Sequence, residues 1–324
     1  MKSLLITGGA GYIGSHAVLY FLDQKWHVTV LDSFERGSVR IEGADYIEGK
    51  TGDPEIVRKV CRKQKFDAVM HFAAYASVEE SVRRSDVYER NNITGTQKFI
   101  EVLIEEGIRK FIFSSSAAVY GETSEPVTEE SETKPCNPYG ESKMRSEQFL
   151  SRCAKSGDLN FVSLRYFNAA GNDPEGRTGE THDPELHLIP NIFRAHLQGK
   201  PVRVHGDDYS TPDGTCIRDF VHVCDLVAAH ALALNSLLDG GPSAIYNVGT
   251  GKGYSIREVI RQAGSIARKE IAFEVVPRRP GDPAFLVASA EKIQRELGWK
   301  PKFGLREILE TAYNWEIRRL HTPR

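Results

Sequence analysis

Cysteine is scarce in this chain, and no two cysteines form a C-x-x-C pair. The five that occur, Cys61, Cys136, Cys153, Cys216 and Cys224, are odd in number and widely scattered. That leaves no disulfide framework of the secreted kind and fits reduced thiols in a cytoplasmic setting. Long apolar runs are missing too: none approaches the roughly 18–20 residues a membrane span needs. The opening MKSLLITGGAG reaches a glycine turn by residue 8, so no signal-peptide core fits ahead of it. Neither sign of charge is in excess, with 42 Lys plus Arg against 44 Asp plus Glu. Such a balance creates no field for nucleic acid or an acidic membrane, and neither is expected as a partner. The basic stretches RKVCRKQK and RRLHTPR read as solvated helix ends. What is present is a chain of 324 residues with an ordinary 40% of hydrophobic residues, enough for two lobes. A soluble, cytoplasmic protein of enzyme size is expected.

Short apolar runs alternate with longer helical patterns through the first half. Residues 3–7, 27–32, 45–49, 67–73, 110–116 and 161–168 read as strands, and 12–24, 54–64, 91–106 and 139–156 as helices. The strands are nearly continuous in apolar residues, as in a parallel sheet covered on both faces. This alternation predicts an α/β fold, a doubly wound parallel sheet of Rossmann type with a smaller mixed α/β lobe. The first domain spans 1–169, with returning segments at about 218–250; residues 170–217 and 251–324 form the substrate lobe. Between them, AAGNDPEGRTGETHDPELH is rich in Gly, Pro, Asp and Glu and reads as a long functional loop.

TGGAGYIGSH follows the first strand and opens the first helix, with Gly8, Gly11 and Gly14 at G-x-x-G-x-x-G spacing. Glycines there permit a tight turn and close backbone approach, and the helix start offers free N–H groups to a pyrophosphate. Asp32 ends the second strand 18 residues after Gly14, where a carboxylate accepts from an adenosine ribose and repels a 2′-phosphate. NAD is therefore favoured over NADP, with Arg36 as the opposing sign. Asp53 has two readings, helix cap or adenine contact.

PYGESK places Tyr139 and Lys143 one helical turn apart on one face. A phenol titrates near 10, so a base at neutral pH needs a shift worth about 4 kcal/mol. One ammonium at roughly 4 Å and an effective dielectric of 20 supplies about that much, and the positive ring of an oxidised nicotinamide adds to it. The expectation is that Lys143 lowers the Tyr139 pKa. Ser114, Ser115 and Ser116 end the fifth strand, where sheets of this type bind ligands.

Together GGAGYIGSH, SSSAAVYG, PYGESK, LRYFNAAG and DGTCIRDFVHVCDL resemble the extended short-chain dehydrogenase/reductases, most closely the UDP-glucose (UDP-galactose) 4-epimerase group. The similarity runs nearly end to end. It implies C4 epimerisation of a UDP-hexose on tightly held NAD, through a 4-keto sugar that turns over in the pocket. Tyr139 is then the acid–base, Ser116 holds the sugar oxygen, and Lys143 tunes Tyr139 and holds the nicotinamide ribose. The resemblance puts cofactor contacts on Gly8, Gly11, Tyr12, Ile13, Gly14, Asp32, Ser33, Asp53, Phe72, Ala73, Ala74, Asn92, Tyr139, Lys143 and Phe167. Substrate contacts fall on Ser116, Tyr139, Asn168, His187, Leu188, Arg203, Val204, His205, Arg218, Arg279, Asp282 and Leu286. It also implies a homodimer through the helices near 91–106 and 139–156.

Three positions depart from some members. Ala76 stands where they have a Lys, Ser33 where they have an Asn, and Leu286 where a bulky Tyr closes the hexose pocket. The smaller Leu286 leads us to expect UDP-N-acetylhexosamines as further substrates. A 4,6-dehydratase needs an acid–base pair after the fifth strand, and SSAAVYG has no carboxylate there. A UDP-glucuronate 4-epimerase is the alternative. A regulator that only senses NAD has no need of Tyr139, Lys143 and Ser116 together. No metal site is expected, because His182 and His187 lack a recognised ligand spacing.

Overall fold

The structure, a computed structural model, describes residues 1–321; the end of RRLHTPR and of the expected lobe, residues 322–324, lies outside the described residues. The first six strands are β1 (Ser3–Thr7), β2 (His27–Asp32), β3 (Asp45–Glu48), β4 (Ala68–His71), β5 (Lys110–Ser114) and β6 (Asn160–Tyr166). There follow β7 (Asn168–Ala170), β8 (Val202–His205), β9 (Ile217–His222), β10 (Ala244–Val248), β11 (Gly253–Ser255), β12 (Phe273–Val276) and β13 (Phe285–Leu286). Helices of the first half are α1 (Tyr12–Asp23), α2 (Pro54–Lys63), α3 (Val78–Arg83), α4 (Ser85–Tyr88), α5 (Thr96–Glu105) and α6 (Pro138–Lys155). The second half adds α7 (Leu188–Leu197), α8 (Val223–Leu238), α9 (Ile256–Ala267), α10 (Glu291–Leu297) and α11 (Leu305–His321).

Seven strands form one parallel sheet in the order β10-β6-β5-β4-β1-β2-β3. Sequence order reverses between β1 and β4, which opens a crevice at their C-terminal ends. The doubly wound sheet expected from the sequence is present. Its central strands are apolar throughout because both faces are covered: Leu4 and Ile6 join one core cluster and Leu5, between them, the other. Small residues Ala229, Ala231 and Ala233 let α8 lie close on the first face. A second sheet has β11, β9 and β13 as neighbours, with β7 also pairing β9, and β8 pairs β12. The buried Ile192, Phe193, Ile260 and Ile308 pack beneath these strands in a separate core.

The expected helix over 91–106 is two pieces, a π-helical turn Glu89–Gly95 and then α5. Helices α3 and α4 lie where no element was expected. The expected long loop holds no helix or strand between β7 and α7, yet it is docked. Ser15 and Thr178 hydroxyls bond at 2.9 Å, the Asp173 N–H donates to His16 Nε2, and Trp315 Nε1 donates to the Glu180 carbonyl. Among the described residues no helix is long and apolar enough to cross a membrane.

Candidate active site

At the crevice, Gly8 adopts φ 71° and a Cβ there would lie 2.5 Å from the Ala73 nitrogen. A Cβ on Gly14 would meet the Gly8 carbonyl oxygen at 2.1 Å. Only glycine fits either place, and the turn brings β1, the Phe72–Ala73 strand end and the α1 start together. Gly11 is the N-cap and no side chain caps α1, so its first N–H groups remain open to an anion. Asp32 is buried at the mouth of the turn; its oxygens accept from Ala10 N–H at 2.9 Å and Phe34 N–H at 2.8 Å. Burial raises its pKa against those bonds. Each oxygen keeps a free lone pair, so an acceptor for a ribose survives. An ungapped glycine turn, an open helix end and a buried carboxylate fit a dinucleotide such as NAD.

Arg36 is engaged elsewhere: it donates to Glu80 at 2.6 Å and covers the Tyr75 ring. Its sign against NAD is thereby weakened. Asp53 caps α2, accepting from Glu55 and Ile56 N–H, which supports the cap reading. Asn92 is braced inside, accepting from Tyr75 N–H and donating to the Tyr75 carbonyl and to Ser142. Tyr12 donates to the Gly171 carbonyl, and Ile13 packs on the core. Ser33 only accepts weakly from Glu35 N–H at 3.4 Å, and Ala74 and Ala76 lie on the segment after β4.

Asn137 starts α6 by accepting from Gly140 N–H at 2.8 Å, with Pro138 at the first helical position. That fixes Tyr139 and Lys143 against the C-terminal ends of β5 and β6, both more than nine-tenths buried. The Lys143 ammonium donates to the Ser114 carbonyl at 2.7 Å and lies 4.9 Å from the centre of the Phe113 ring. The Tyr139 hydroxyl lies near the Ser116 side chain, which acts to lower its pKa. Ser116 accepts from Ala118 N–H, while the buried Ser115 hydroxyl has no partner.

The expected electrostatics are corrected here. Burial raises the Tyr139 pKa, opposed only by the nearby Ser116 hydroxyl, and burial brings Lys143 down to about 7. Desolvation decides in this dry pocket: each group favours its neutral form, and the ammonium is directed at a carbonyl and not at the phenol. The sequence reading also missed Tyr166 and His230. His230 Nε2 bonds the Ser114 hydroxyl at 2.9 Å, and burial raises the Tyr166 pKa beside Tyr139. Neighbouring C-terminal ends in a parallel sheet could have pointed to Tyr166; no spacing pointed to His230.

Most of the remaining expected substrate residues lie on β8, β9 and β13 and at the start of α7. Arg218, on β9, donates to Asp282 at 3.0 Å, and Asp282 N–H donates to the Arg279 carbonyl. Arg279 Nε and the Tyr209 hydroxyl are buried without partners. His205 is pushed down in pKa by burial and then by Arg279. Two guanidiniums with an open donor suit a diphosphate. Arg203 is exposed, 4.0 Å from Glu274, and the Val204 side chain is absorbed by the lobe core, which leaves only its backbone. Asn168 donates to the Asp219 carbonyl at 2.9 Å. Leu286 packs with Phe167 and Ala117 beside Ser116. His187 caps α7 at Leu188; Glu185 and Glu180 hold its imidazole pKa up at about 9 against burial.

His182 and His187 lack a recognised ligand spacing in the sequence, yet the fold brings them together with two glutamates. The loop gathers ligand atoms of Glu180, His182, Glu185 and His187 within 4.8 Å of one another. Linear spacing hid this because the chain folds back on itself between α1 and α11.

Comparison with known proteins follows the same lines. The family model described as NAD dependent epimerase/dehydratase family matches residues 4–249. A UDP-glucose 4-epimerase of Halalkalibacterium halodurans is 44% identical over 323 residues, covering 98% of this chain and 97% of that protein. A crystal structure of a UDP-glucose 4-epimerase matches with TM-score 0.95 and 44% identity over 100% of both chains. The Bifidobacterium longum UDP-glucose 4-epimerase, in complex with NAD+ and UDP, matches with TM-score 0.93 and 34% identity over 98% and 99%.

Proposed function

The chain belongs to the NAD dependent epimerase/dehydratase family, and from that premise we propose that it interconverts UDP-glucose and UDP-galactose at C4. It is an NAD-dependent UDP-hexose 4-epimerase. The observation that carries the reading is Tyr139 beside Ser116 and backed by Lys143, whose ammonium lies 5.9 Å from the Tyr139 ring centre, where the glycine turn and Asp32 open the cofactor crevice. Bound NAD supplies a reversible hydride acceptor for sugar C4, so no net redox occurs and it need not leave.

The protein's own part is proton traffic and grip. Tyr139 takes the 4-hydroxyl proton as the 4-keto sugar forms and returns it to the inverted alcohol. Ser116 holds the sugar oxygen during both transfers. In the free pocket burial keeps the proton on Tyr139, so charge brought in with the ligands must turn it into a base. Lys143, fixed on the Ser114 carbonyl, orients the nicotinamide ribose. Gly8, Gly11, Gly14, Asp32 and the Phe72–Ala74 segment hold the cofactor. Arg218, Arg279, His205 and the His187–Leu188 helix start hold the diphosphate, which stays fixed while the keto sugar turns. Leu286 borders the hexose.

This reading divides the chain into a cofactor domain, 1–169 with 218–250, and a nucleotide-sugar lobe made of the rest. Free thiols at all five cysteines support a cytoplasmic setting. A homodimer through α5 and α6 goes with the family, and sedimentation at micromolar protein reads its mass. The deciding experiment is NMR of UDP-galactose with purified protein and no added nucleotide. UDP-glucose is expected to appear, and Tyr139→Phe to lose at least about a hundredfold in rate, as for an acid–base group, with NAD retained. No conversion by protein that holds NAD would sink the substrate assignment.

A further inference from the structure

We propose that Glu180, His182, Glu185 and His187 form a structural site for one divalent transition cation of the zinc class, which pins the loop ahead of α7. All four side chains come from eight consecutive residues, and their ligand atoms lie within 4.8 Å of one another. His182 Nδ1 is 2.6 Å from Glu180 Oε1. His187 Nδ1 is 2.7 Å from Glu185 Oε1 and 3.6 Å from Glu180 Oε2. A tetrahedral ion with bonds near 2.0–2.1 Å sets its ligand atoms about 3.4 Å apart, so seating one asks for shifts of roughly an ångström or less. Two imidazole nitrogens with two carboxylate oxygens suit zinc better than calcium or magnesium, which favour all-oxygen shells.

A further observation points to room for another partner. Glu185 Oε2 is a buried atom that makes no hydrogen bond, with the Arg194 guanidinium 3.4 Å away. The Glu180 and Glu185 side chains are only 3% and 2% exposed. With the buried Glu316 they make three carboxylates faced by two guanidiniums, Arg194 and Arg319. His187 stands against both glutamates as the third positive partner, so a metal ion binds here by displacing a proton from that imidazole. Outer support is in place: His182 N–H donates to Glu180 Oε1, and both Leu186 and His187 N–H donate to Glu185 Oε1. Trp315 and Arg194 donate to the Glu180 and His182 carbonyls, so the site ties the loop to α11 and α7.

The four protein ligands make a closed shell, as in structural rather than catalytic zinc sites. The purified full-length protein with its cofactor is stripped with a chelator, loaded with zinc, exchanged into buffer and measured by plasma mass spectrometry. About one zinc per chain is expected, and less than half of that in His182→Asn and in Glu185→Gln. Zinc in excess is expected to raise Tm by about 5 °C in the unaltered protein and not in the variants. Cobalt in its place is expected to give the strong visible bands of a four-coordinate ion. Retention below half an equivalent by the unaltered protein, or equal retention by both variants, leaves an ion-pair cluster and overturns the site. Metal content is read without substrate, so a failed epimerisation assay leaves this result standing.

Discussion

Lys143 carries the sharpest consequence at the scale of a residue. Burial takes its pKa from 10.5 to about 7. The folded state therefore binds fewer protons than the unfolded state between those values, and stability rises with pH across that window. Below about pH 7 the charged form costs of order 5 kcal/mol, and the cost fades by about 1.4 kcal/mol per unit above it. Lys143→Met removes this dependence. In cofactor-free protein its stability relative to the original chain is expected to fall steadily from pH 7 to pH 9, read by denaturant unfolding; a constant difference would refute the depressed pKa. Leu286 makes a second prediction, about breadth. UDP-N-acetylglucosamine is expected to be converted, and Leu286→Tyr to slow that about 10- to 100-fold while sparing UDP-galactose. Equal rates in both proteins would show that Leu286 does not gate the pocket.

At the scale of an element, helix starts do the positioning. Asn137 places Tyr139, and the uncapped α1 offers its N–H groups to the cofactor. Asp53 shows how a residue with two readings is decided by an element. Its oxygen accepts from two N–H groups at the start of α2. Asp53→Ala should cost about 1 kcal/mol of stability and leave NAD content unchanged. Loss of NAD at unchanged stability would restore the adenine reading. The π-helical turn before α5 has a similar logic: it sets Asn92 inward to clamp Tyr75, a bend that no apolar period announces.

Across the whole molecule, one buried network joins the sheet to α6. Arg165, on β6, is paired with Glu147 at 2.7 Å, both side chains under 7% exposed. Arg165 donates to Tyr120, Tyr120 donates to Asn247 on β10, and Ser163 donates to Glu147. Glu147→Ala leaves a guanidinium buried and unpaired, and should cost about 3–5 kcal/mol in chemical denaturation. A loss under 1 kcal/mol would mean that water reaches Arg165. The same helix carries Tyr139 and Lys143, so this pair steadies the active site from behind.

Local spacing was enough to reveal the parallel sheet, the glycine turn, Asp32 and the Tyr139–Lys143 pair. Each rests on neighbours within one strand, turn or helix, where periodicity and stereochemistry act directly. The sequence by itself therefore determined the fold class and the chemistry class. Only the tertiary structure decided the protonation of Tyr139 and Lys143, because desolvation depends on what the whole fold packs around a group. Packing also decided that Asn92 braces a loop, that Arg36 is occupied by Glu80, and that two histidines meet two glutamates. Those contacts join segments far apart in the chain or a loop folded on itself, and no linear pattern encodes such distances.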